Sequence, residues 1–358
     1  MSKIYEIYGT NAHEMTKALM KAANVATDIP EGANIALKPN LVKAGAAETG
    51  ATTHPGVLSG CIEYLRENGF SDISVIESSW VGERTERSVK ACGYDKVCEK
   101  YNVPFYDLKA DGVRTVDTPF RPMEIAVRAL DAAYLIDLPV LKGHCQTMMT
   151  CALKNLKGCI PDREKRQFHA DGLIKPIAAL ASALKPSLVI VDSICGDLYF
   201  EEGGNPVQTN RMMLGKDSVQ MDAYGCRLMG LDLTDVPYIS LAEKWGAGST
   251  QVLPEDIVRL NEPTDAQEYP KATGMIKKLT GNVEADSACS ACFASLVRAL
   301  YIADREGITI KEKIFIGQGN QGKELNGIGI GRCCMKAGQC VMGCPPTADA
   351  VIRLFRKM

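Results

Sequence analysis

The sequence predicts an α/β fold, in which layered parallel or mixed sheets are flanked by helices and a small cysteine-rich module follows at the C-terminus. Two observations carry this prediction. Over residues 1–270, short β-rich runs alternate with amphipathic helical stretches, which is typical of parallel sheets in layered folds. In the last 70 residues, six of the fourteen cysteines are grouped at close spacing.

The strand candidates are mostly continuous apolar runs, as expected for strands that are covered on both faces. They are residues 35–37, 73–76, 133–136, 188–191 and 313–316. Two helices carry signals at their ends. One is predicted from Pro55 to Glu67 with a stop at Asn68-Gly69, and the other is predicted over 217–229, with Asp217 as its N-cap.

The chain is expected to divide into two parts joined by a connector at residues 253–268, which carry several prolines and acidic side chains. Residues 1–270 would form an α/β body, with room for two subdomains, and residues 271–358 the cysteine-bearing module. Within the module, a helix is predicted from Cys289 to Tyr301. A last helix is predicted with Pro345 and Pro346 in its first turn, where proline is tolerated.

Composition narrows the classes of partner. The formal charge is −2, whereas nucleic-acid and membrane-surface binding favour a basic face, so we expect neither partner. No apolar run reaches the ~20 residues that span a bilayer, and the N-terminus has no signal-peptide pattern. We therefore expect a cytoplasmic, reducing environment, in which a surplus of cysteine more often indicates metal binding or catalysis than disulfides.

The cysteine pattern favours an iron–sulfur cluster. Cys289-x-x-Cys292 places two thiols on one side of a helical turn, Cys333 follows a glycine-rich approach, and Gly343-Cys344-Pro345 resembles the Cys-Pro step of ferredoxin motifs. Zinc sites with four cysteines usually show two tight knuckles, whereas the second group here spreads over residues 333–344. Zinc, or buried cysteines without a metal, remain the alternatives.

A second group of polar residues follows the ends of the predicted strands. Because ligands bind beyond the carboxyl ends of strands in open α/β sheets, we expect these residues to line a cationic cleft for a carboxylate or phosphate. The candidate substrate-binding residues are Lys38, Asn40, His54, Asn155, Arg163 and His169.

The candidate catalytic residues are His144, Lys154 and Lys142. A histidine beside a strand end can act as a general acid or base, and Lys154 can act as a base or an anion anchor. The structural alternatives are a histidine that bonds to backbone and a solvated lysine. Asp222, inside a predicted helix, is expected to pair with a basic side chain. No Gly-x-Gly-x-x-Gly fingerprint follows a strand, so a dinucleotide site is unsupported.

Several motifs resemble the domain-of-unknown-function family numbered 362. They are Lys38-Pro39-Asn40-Leu41-Val42, Thr53-His54-Pro55, Leu138-Pro139-Val140-Leu141-Lys142-Gly143-His144, Leu153-Lys154-Asn155-Leu156-Lys157-Gly158, Val191-Asp192-Ser193-Ile194 and Val219-Gln220-Met221-Asp222-Ala223. Members are generally described as iron–sulfur proteins of unsettled activity, many from anaerobes. The chain resembles the subgroup that lacks an inserted ferredoxin segment. That resemblance implies a [4Fe–4S] cluster.

The same resemblance implies Cys289, Cys292, Cys333 and Cys344 as cluster ligands. Cys334 and Cys340 do not fit the subgroup pattern, so the choice between Cys333 and its neighbours stays open. The leading hypothesis is an oxidoreductase that moves electrons between the cluster and a small anionic substrate, with a ferredoxin-like protein or a flavoprotein as electron partner. The alternatives are a non-redox lyase or isomerase with the cluster as Lewis acid, and a non-enzymatic electron carrier.

Overall fold

The computed structural model of the chain describes residues 3–263 and 275–358. The strands, numbered in chain order, are β1 Ile4–Tyr8, β2 Ile35–Pro39, β3 Ile73–Glu77, β4 Phe105–Asp107, β5 Val113–Val116, β6 Met123–Ala126, β7 Tyr134–Leu138, β8 Lys142–His144, β9 Met148–Thr150, β10 Leu188–Asp197, β11 Pro206–Gly215, β12 Ile257–Arg259, β13 Val283–Ala285, β14 Ile314–Ile316, β15 Leu325–Ile330 and β16 Ala337–Val341. The α-helices are α1 Ala12–Ala22, α2 Pro55–Glu67, α3 Thr85–Cys92, α4 Tyr94–Tyr101, α5 Val127–Leu130, α6 Ala152–Asn155, α7 Asp162–Ala170, α8 Ile174–Ala183, α9 Ser218–Leu228, α10 Pro237–Lys244, α11 Met275–Leu279, α12 Ser290–Arg305 and α13 Ala348–Phe355.

The body is built on an eight-stranded mixed sheet with the order β12-β1-β11-β10-β7-β2-β3-β4. The run from β10 to β4 is parallel, whereas β11 is antiparallel to both of its neighbours. Because the parallel strands all end at one edge, the side chains that follow them are brought together there. The predicted mixed α/β fold is confirmed in this large sheet flanked by helices.

Helices cover both faces of the sheet. In β2, which is buried throughout, Ile35 and Leu37 pack in a core with α1 and α2, while Ala36 faces a second core that includes Phe168 of α7 and Ile177 of α8. The continuous apolar strands of the sequence are therefore explained by burial on both sides. The predicted strands coincide with β2, β3, β7, β10 and β14, and the two predicted helices with α2 and α9.

A second, four-stranded parallel sheet has the order β13-β14-β15-β16. Its core, formed with α12 and α13, also contains Cys145 and Phe200 of the body. Phe200 is fully buried, and its ring lies 6.1 Å from that of Tyr301 in an edge-to-face arrangement. The cysteine-bearing part thus packs directly on the body through a shared hydrophobic core.

Two local predictions need correction. Residues 253–263 are not simply a connector, because β12 adds to the sheet edge parallel to β1. Pro345 and Pro346 do not form the first turn of the last helix. They precede Thr347, whose side chain caps α13 by accepting a hydrogen bond from the Ala350 amide at 3.2 Å.

The rest of the predicted connector, residues 264–268, and the predicted division at 270/271 lie outside the described residues. No helix within the described ranges is long and apolar enough to cross a membrane.

Candidate functional site

A buried ion pair occupies the carboxyl ends of β2, β3 and β7. Lys38 Nζ lies 2.8 Å from Glu77 Oε2 and 4.0 Å from Asp137 Oδ1, and all three side chains are almost fully buried. Burial raises the pKa of Asp137 to about 7, although Lys38 opposes that shift. Asn155 donates to Asp137 Oδ1 at 2.7 Å and accepts from Asn40 at 2.8 Å. These contacts tie α6 to the strand ends.

Lys142 is a fully engaged buried cation. Its Nζ donates to Asn40 Oδ1 at 3.0 Å, to the carbonyl of Glu201 at 2.8 Å and to the carbonyl of Ala51. Burial lowers the pKa of Lys142 to about 7. Since an ammonium group has three donors and all three are used, Lys142 holds the surrounding loops together.

Glu201 links His144 to Lys154. Its Oε2 lies 2.9 Å from Lys154 Nζ and 2.8 Å from His144 Nε2, although the second contact is poorly directed for a hydrogen bond. His144 Nδ1 accepts from the amides of Gln146 at 3.0 Å and Thr147 at 3.1 Å, so the proton of the neutral ring is on Nε2. Burial lowers the pKa of His144 to about 4. Burial would raise the pKa of Glu201, but His144 and Lys154 hold it well below its usual range.

These groups surround one pocket, here called the lysine pocket, which has a cavity volume of about 90 Å³ and opens to solvent. Its lining combines four lysines with two carboxylates and the start of α12. The lining includes Asn40, Glu77, Lys142, Lys154, Asn155, Lys157, Gly158, Lys165, His169, Glu201, Cys289 and Ser290. Lys38 and His144 lie behind this lining and are fully buried.

Two predicted binding residues do not reach the lysine pocket. His54 caps α2, where its Nδ1 accepts from the Gly56 amide at 2.9 Å, and it lines a separate hollow beside Asp192. Arg163 is exposed and pairs with Glu124. The structure does not bring these two residues to the lysine pocket, because strand-end proximity in the sequence does not specify the direction of each side chain.

The predicted set did not include Lys157, Lys165 and Glu201, which line the lysine pocket. Lys165 and His169 are four residues apart on α7 and so share the helix face that points inward, whereas Arg163 lies on another face. Helical spacing would have found Lys165. Glu201 lies in a loop between β10 and β11, and the only signal near it in the sequence is the pair of turn-forming glycines Gly203 and Gly204.

Asp222 does not pair with a basic side chain as predicted. It is fully buried in α9, where Oδ1 accepts from the Leu153 amide at 3.3 Å, and it thereby supports the short helix that carries Lys154 and Asn155. Burial raises the pKa of Asp222 from 3.8 to about 8.

The raised pKa of Asp222 predicts a pH-dependent stability. The neutral form is favoured on folding, so its stabilising contribution is complete below about pH 4 and is lost as the pH rises through about 8. Asp222→Asn should remove that loss. In the wild type, Asp222 should lower the free energy of unfolding by up to about 4 kcal/mol between about pH 5 and about pH 8, and the variant should lack this decrease. Chemical unfolding of both proteins at the two pH values measures it. If the free energy of unfolding changed equally between the two pH values in both proteins, this role of Asp222 would be contradicted.

The cysteines of the last 70 residues come from three points of the fold. Cys289 is the N-cap of α12 and Cys292 lies in its first turn, Cys333 lies in the turn after β15, and Cys344 follows β16. Burial first, and then the neighbouring thiols of Cys289, Cys344, Cys333 and Cys334, raise the pKa of Cys292 to about 12. These thiols therefore lie in one region of the fold, around the start of α12.

Glycine backbone lines the space beside these thiols. Gly331 has a φ of +88°, and a Cβ built on it would lie 3.7 Å from Cys292 Sγ and 3.6 Å from the carbonyl of Gly343. Cys334, by contrast, is fully buried, and Cys340 packs near Met342 at 3.8 Å. Among the described residues, no three His, Cys, Asp or Glu side chains are arranged to hold a single metal ion.

The start of α12 is fastened to the body beside the lysine pocket. Ser290 Oγ donates to Gln146 Oε1 at 2.8 Å, and Gln146 Nε2 donates to the Ala288 carbonyl at 3.0 Å. The Ser290 amide donates to His169 Nε2 at 3.4 Å. Cys289, which precedes Ser290, consequently forms part of the pocket wall.

The family model described as a domain of unknown function (DUF362) matches residues 35–227. The chain belongs to this family. The match includes the strand ends that carry Lys38 and Asp137, and the segments with Lys142, Lys154 and Glu201. Membership of DUF362 and the grouped cysteines are consistent with a protein that associates with a metal or a cluster.

This DUF362 protein is 24% identical over 233 residues to the thylakoid-associated protein sll1697 of Synechocystis sp., covering 62% of this chain and 71% of that relative. Among solved structures it is similar to a lactate racemase apoprotein from Thermoanaerobacterium thermosaccharolyticum, with a TM-score of 0.42, 13% identity and 63% of this chain covered. A structural genomics target from Thermotoga maritima gives a TM-score of 0.40, 13% identity and 66% coverage. The chain spans 56% and 60% of those two solved chains.

Proposed function

We propose that this protein is an oxidoreductase in which a [4Fe–4S] cluster exchanges electrons with a small anionic substrate bound in the lysine pocket. The proposed cluster ligands are Cys289, Cys292, Cys333 and Cys344. The observation that carries the proposal is that Cys289 belongs to the wall of the lysine pocket. A substrate in that pocket would therefore lie beside the cluster.

The cysteine site fits a four-iron cluster. Four cysteine thiolates are the usual ligand set, and each binds a different iron, so the sulfurs need not converge on one point as they do around zinc. Cys289 and Cys292 lie at the N-terminus of a 16-residue helix, whose dipole favours thiolates over thiols. When bound, such a cluster supplies one-electron transfer.

The pocket suits an anion because it concentrates cations away from bulk solvent. Lys154 is nearly fully buried and Lys157 borders the same space, so a carboxylate or phosphate would gain charge-assisted hydrogen bonds there. We propose Lys154 as a substrate-contacting residue. Lys142 and His144 would act as positioning residues, since their polar atoms contact Asn40 and Glu201 rather than the open pocket.

The buried ion-pair network would complete the site. Lys38, Asn40 and Asn155 are proposed to hold the strand ends in place, and His169 to face the substrate from α7. Electrons entering or leaving the cluster require a second redox protein, for which we propose a ferredoxin-like protein or a flavoprotein.

Anaerobic purification followed by iron and sulfide analysis tests the cluster. We expect about four irons and four sulfides per chain, and an EPR signal that changes on reduction with dithionite. Cys289→Ala and Cys292→Ala should lose most of the iron, because each removes one ligand. Cys98→Ala, which removes a buried thiol of the body, is the matched control and should keep its iron.

Three outcomes would overturn parts of this proposal. Zinc in place of iron would exclude the cluster. Loss of iron in Cys334→Ser or Cys340→Ser, with iron kept in Cys333→Ser, would exclude the proposed ligand set. Equal turnover of a substrate by the oxidised and the reduced protein would exclude redox chemistry and favour a lyase or isomerase.

A further inference from the structure

Two buried polar atoms on residues of the lysine pocket have no hydrogen-bond partner within the described ranges. They are Glu201 Oε1 and His169 Nδ1. Lys157 adds an ammonium group for which no oxygen of the described residues acts as acceptor, and its Nζ lies 5.9 Å from the centre of the Phe168 ring. A buried polar atom without a partner has given up its hydrogen bond to water for nothing in return, so Glu201 Oε1 and His169 Nδ1 call for a partner from outside the chain.

Whether each group donates or accepts a hydrogen bond follows from its other contacts. Glu201 is a carboxylate whose Oε2 already faces Lys154 and His144, so Oε1 requires a donor. His169 Nε2 accepts from the Ser290 amide at 3.4 Å, which puts the proton of a neutral ring on Nδ1 and makes that atom a donor. Lys157 is also a donor. The residues that line the pocket therefore carry two unpartnered donors, one of them cationic, and one unpartnered anionic acceptor.

We infer that the lysine pocket selects a small carboxylate that also carries a hydroxyl group, with the carboxylate held by Lys157 and His169 and the hydroxyl donating to Glu201 Oε1. A simple carboxylate would leave Glu201 Oε1 without a donor, and an uncharged alcohol would leave Lys157 without an anion. This inference rests on the proposed function only in taking the lysine pocket as the substrate site.

Lys157 is the residue that this inference adds to the site. It lies where Lys154, Glu201, Lys165 and Cys289 all act on its charge, and burial lowers its pKa to about 7. A bound carboxylate would offset that burial and favour the ammonium form. Lys154 donates to Glu201 and Thr150 and keeps one donor for the ligand, whereas none of the three donors of Lys157 has an acceptor among the described residues.

Calorimetric titration of the anaerobically purified protein with four related probes tests the inference. Glycolate has both the carboxylate and the hydroxyl proton, acetate lacks the hydroxyl, methoxyacetate keeps the oxygen but lacks its proton, and glycolamide lacks the charge. We expect glycolate to bind at least about tenfold more tightly than each of the other three, since acetate and methoxyacetate lose the hydrogen bond to the Glu201 carboxylate and glycolamide loses the charge attraction to Lys157.

Variants separate the two ends of the ligand. Lys157→Met should weaken glycolate binding at least about tenfold, whereas Glu201→Gln should remove the preference for glycolate over acetate. Lys175→Met is the matched control, because Lys175 is an exposed lysine whose Nζ lies 5.8 Å from the Phe120 ring, the same kind of contact that Lys157 makes with Phe168. It should bind glycolate as the wild type does.

Equal binding of methoxyacetate and glycolate, no binding of glycolate, or equal losses in Lys157→Met and Lys175→Met would overturn the inference. Iron and sulfide are measured on the same samples. A full, reducible cluster without glycolate selectivity refutes this inference and leaves the proposed cluster intact. Glycolate selectivity in protein without iron supports the inference and refutes the proposed redox function.

Discussion

Replacing Lys38 with methionine should lower the free energy of unfolding by about 3–5 kcal/mol, the cost of leaving a buried charge without its partner. Lys38 is fully buried, and its Nζ lies 2.8 Å from Glu77 Oε2. Methionine keeps much of the volume and removes the charge, so the loss reports the electrostatics of Glu77 rather than a cavity. Chemical unfolding under anaerobic conditions measures it.

A double-mutant cycle shows whether the pair acts as a unit. Glu77→Gln alone should also destabilise, because it leaves Lys38 with only Asp137 at 4.0 Å. Combining Lys38→Met with Glu77→Gln should cost less than the sum of the two single changes, since the Lys38–Glu77 pair is then removed as a unit and only Asp137 loses its neighbouring cation. Lys90→Met, which breaks an exposed pair with Glu86, is the control and should change stability little. Additive effects of the two buried changes would contradict the ion-pair explanation.

Gly158→Ala should destabilise the protein by a similar amount, about 3–5 kcal/mol, because a side chain there overlaps the same carboxylate. A Cβ built on Gly158 would lie 2.6 Å from Glu77 Cδ and would overlap Oε1. Glu77 cannot move away without releasing Lys38 and the Ser78 amide, which donates to Oε1 at 2.6 Å. Chemical unfolding measures the loss.

Gly112→Ala is the control for the glycine substitution. Gly112 is exposed, and an added Cβ would meet only the Val127 side chain at an ordinary 3.6 Å. It should leave stability nearly unchanged. If Gly158→Ala were equally harmless, Glu77 would have room to move. The conclusion that Gly158 packs closely against the strand-end ion pair would then be wrong.

The strand ends of the site were predictable from the sequence. Lys38, Lys142 and Asn155 lie within or after apolar runs that indicate buried strands. The carboxyl ends of parallel strands meet at one edge of a sheet. Hydrophobic runs fix the strands, and the parallel topology fixes which of their ends meet. That part of the pocket therefore required no knowledge of side-chain contacts.

The direction of individual side chains was not predictable in the same way. Arg163 and Lys165 belong to one basic run, yet only Lys165 turns into the pocket, since α7 presents the two residues to different sides. His144 was the favoured catalytic residue, but it lies behind Glu201 with both ring nitrogens in contact with protein groups. Glu201 comes from the loop after β10, and only the folded path of that loop brings its carboxylate to Lys154.

The sequence by itself determined the mixed α/β class, the apolar strands, the close spacing of the cysteines and the cationic character of the strand ends, because each follows from local composition and periodicity. Only the tertiary structure decided that Cys289 borders the lysine pocket, since 120 residues separate it from His169 along the chain and the contact through Ser290 depends on how α12 packs on the body. Long-range packing, which no local pattern encodes, therefore decides how close Cys289 lies to the lysine pocket.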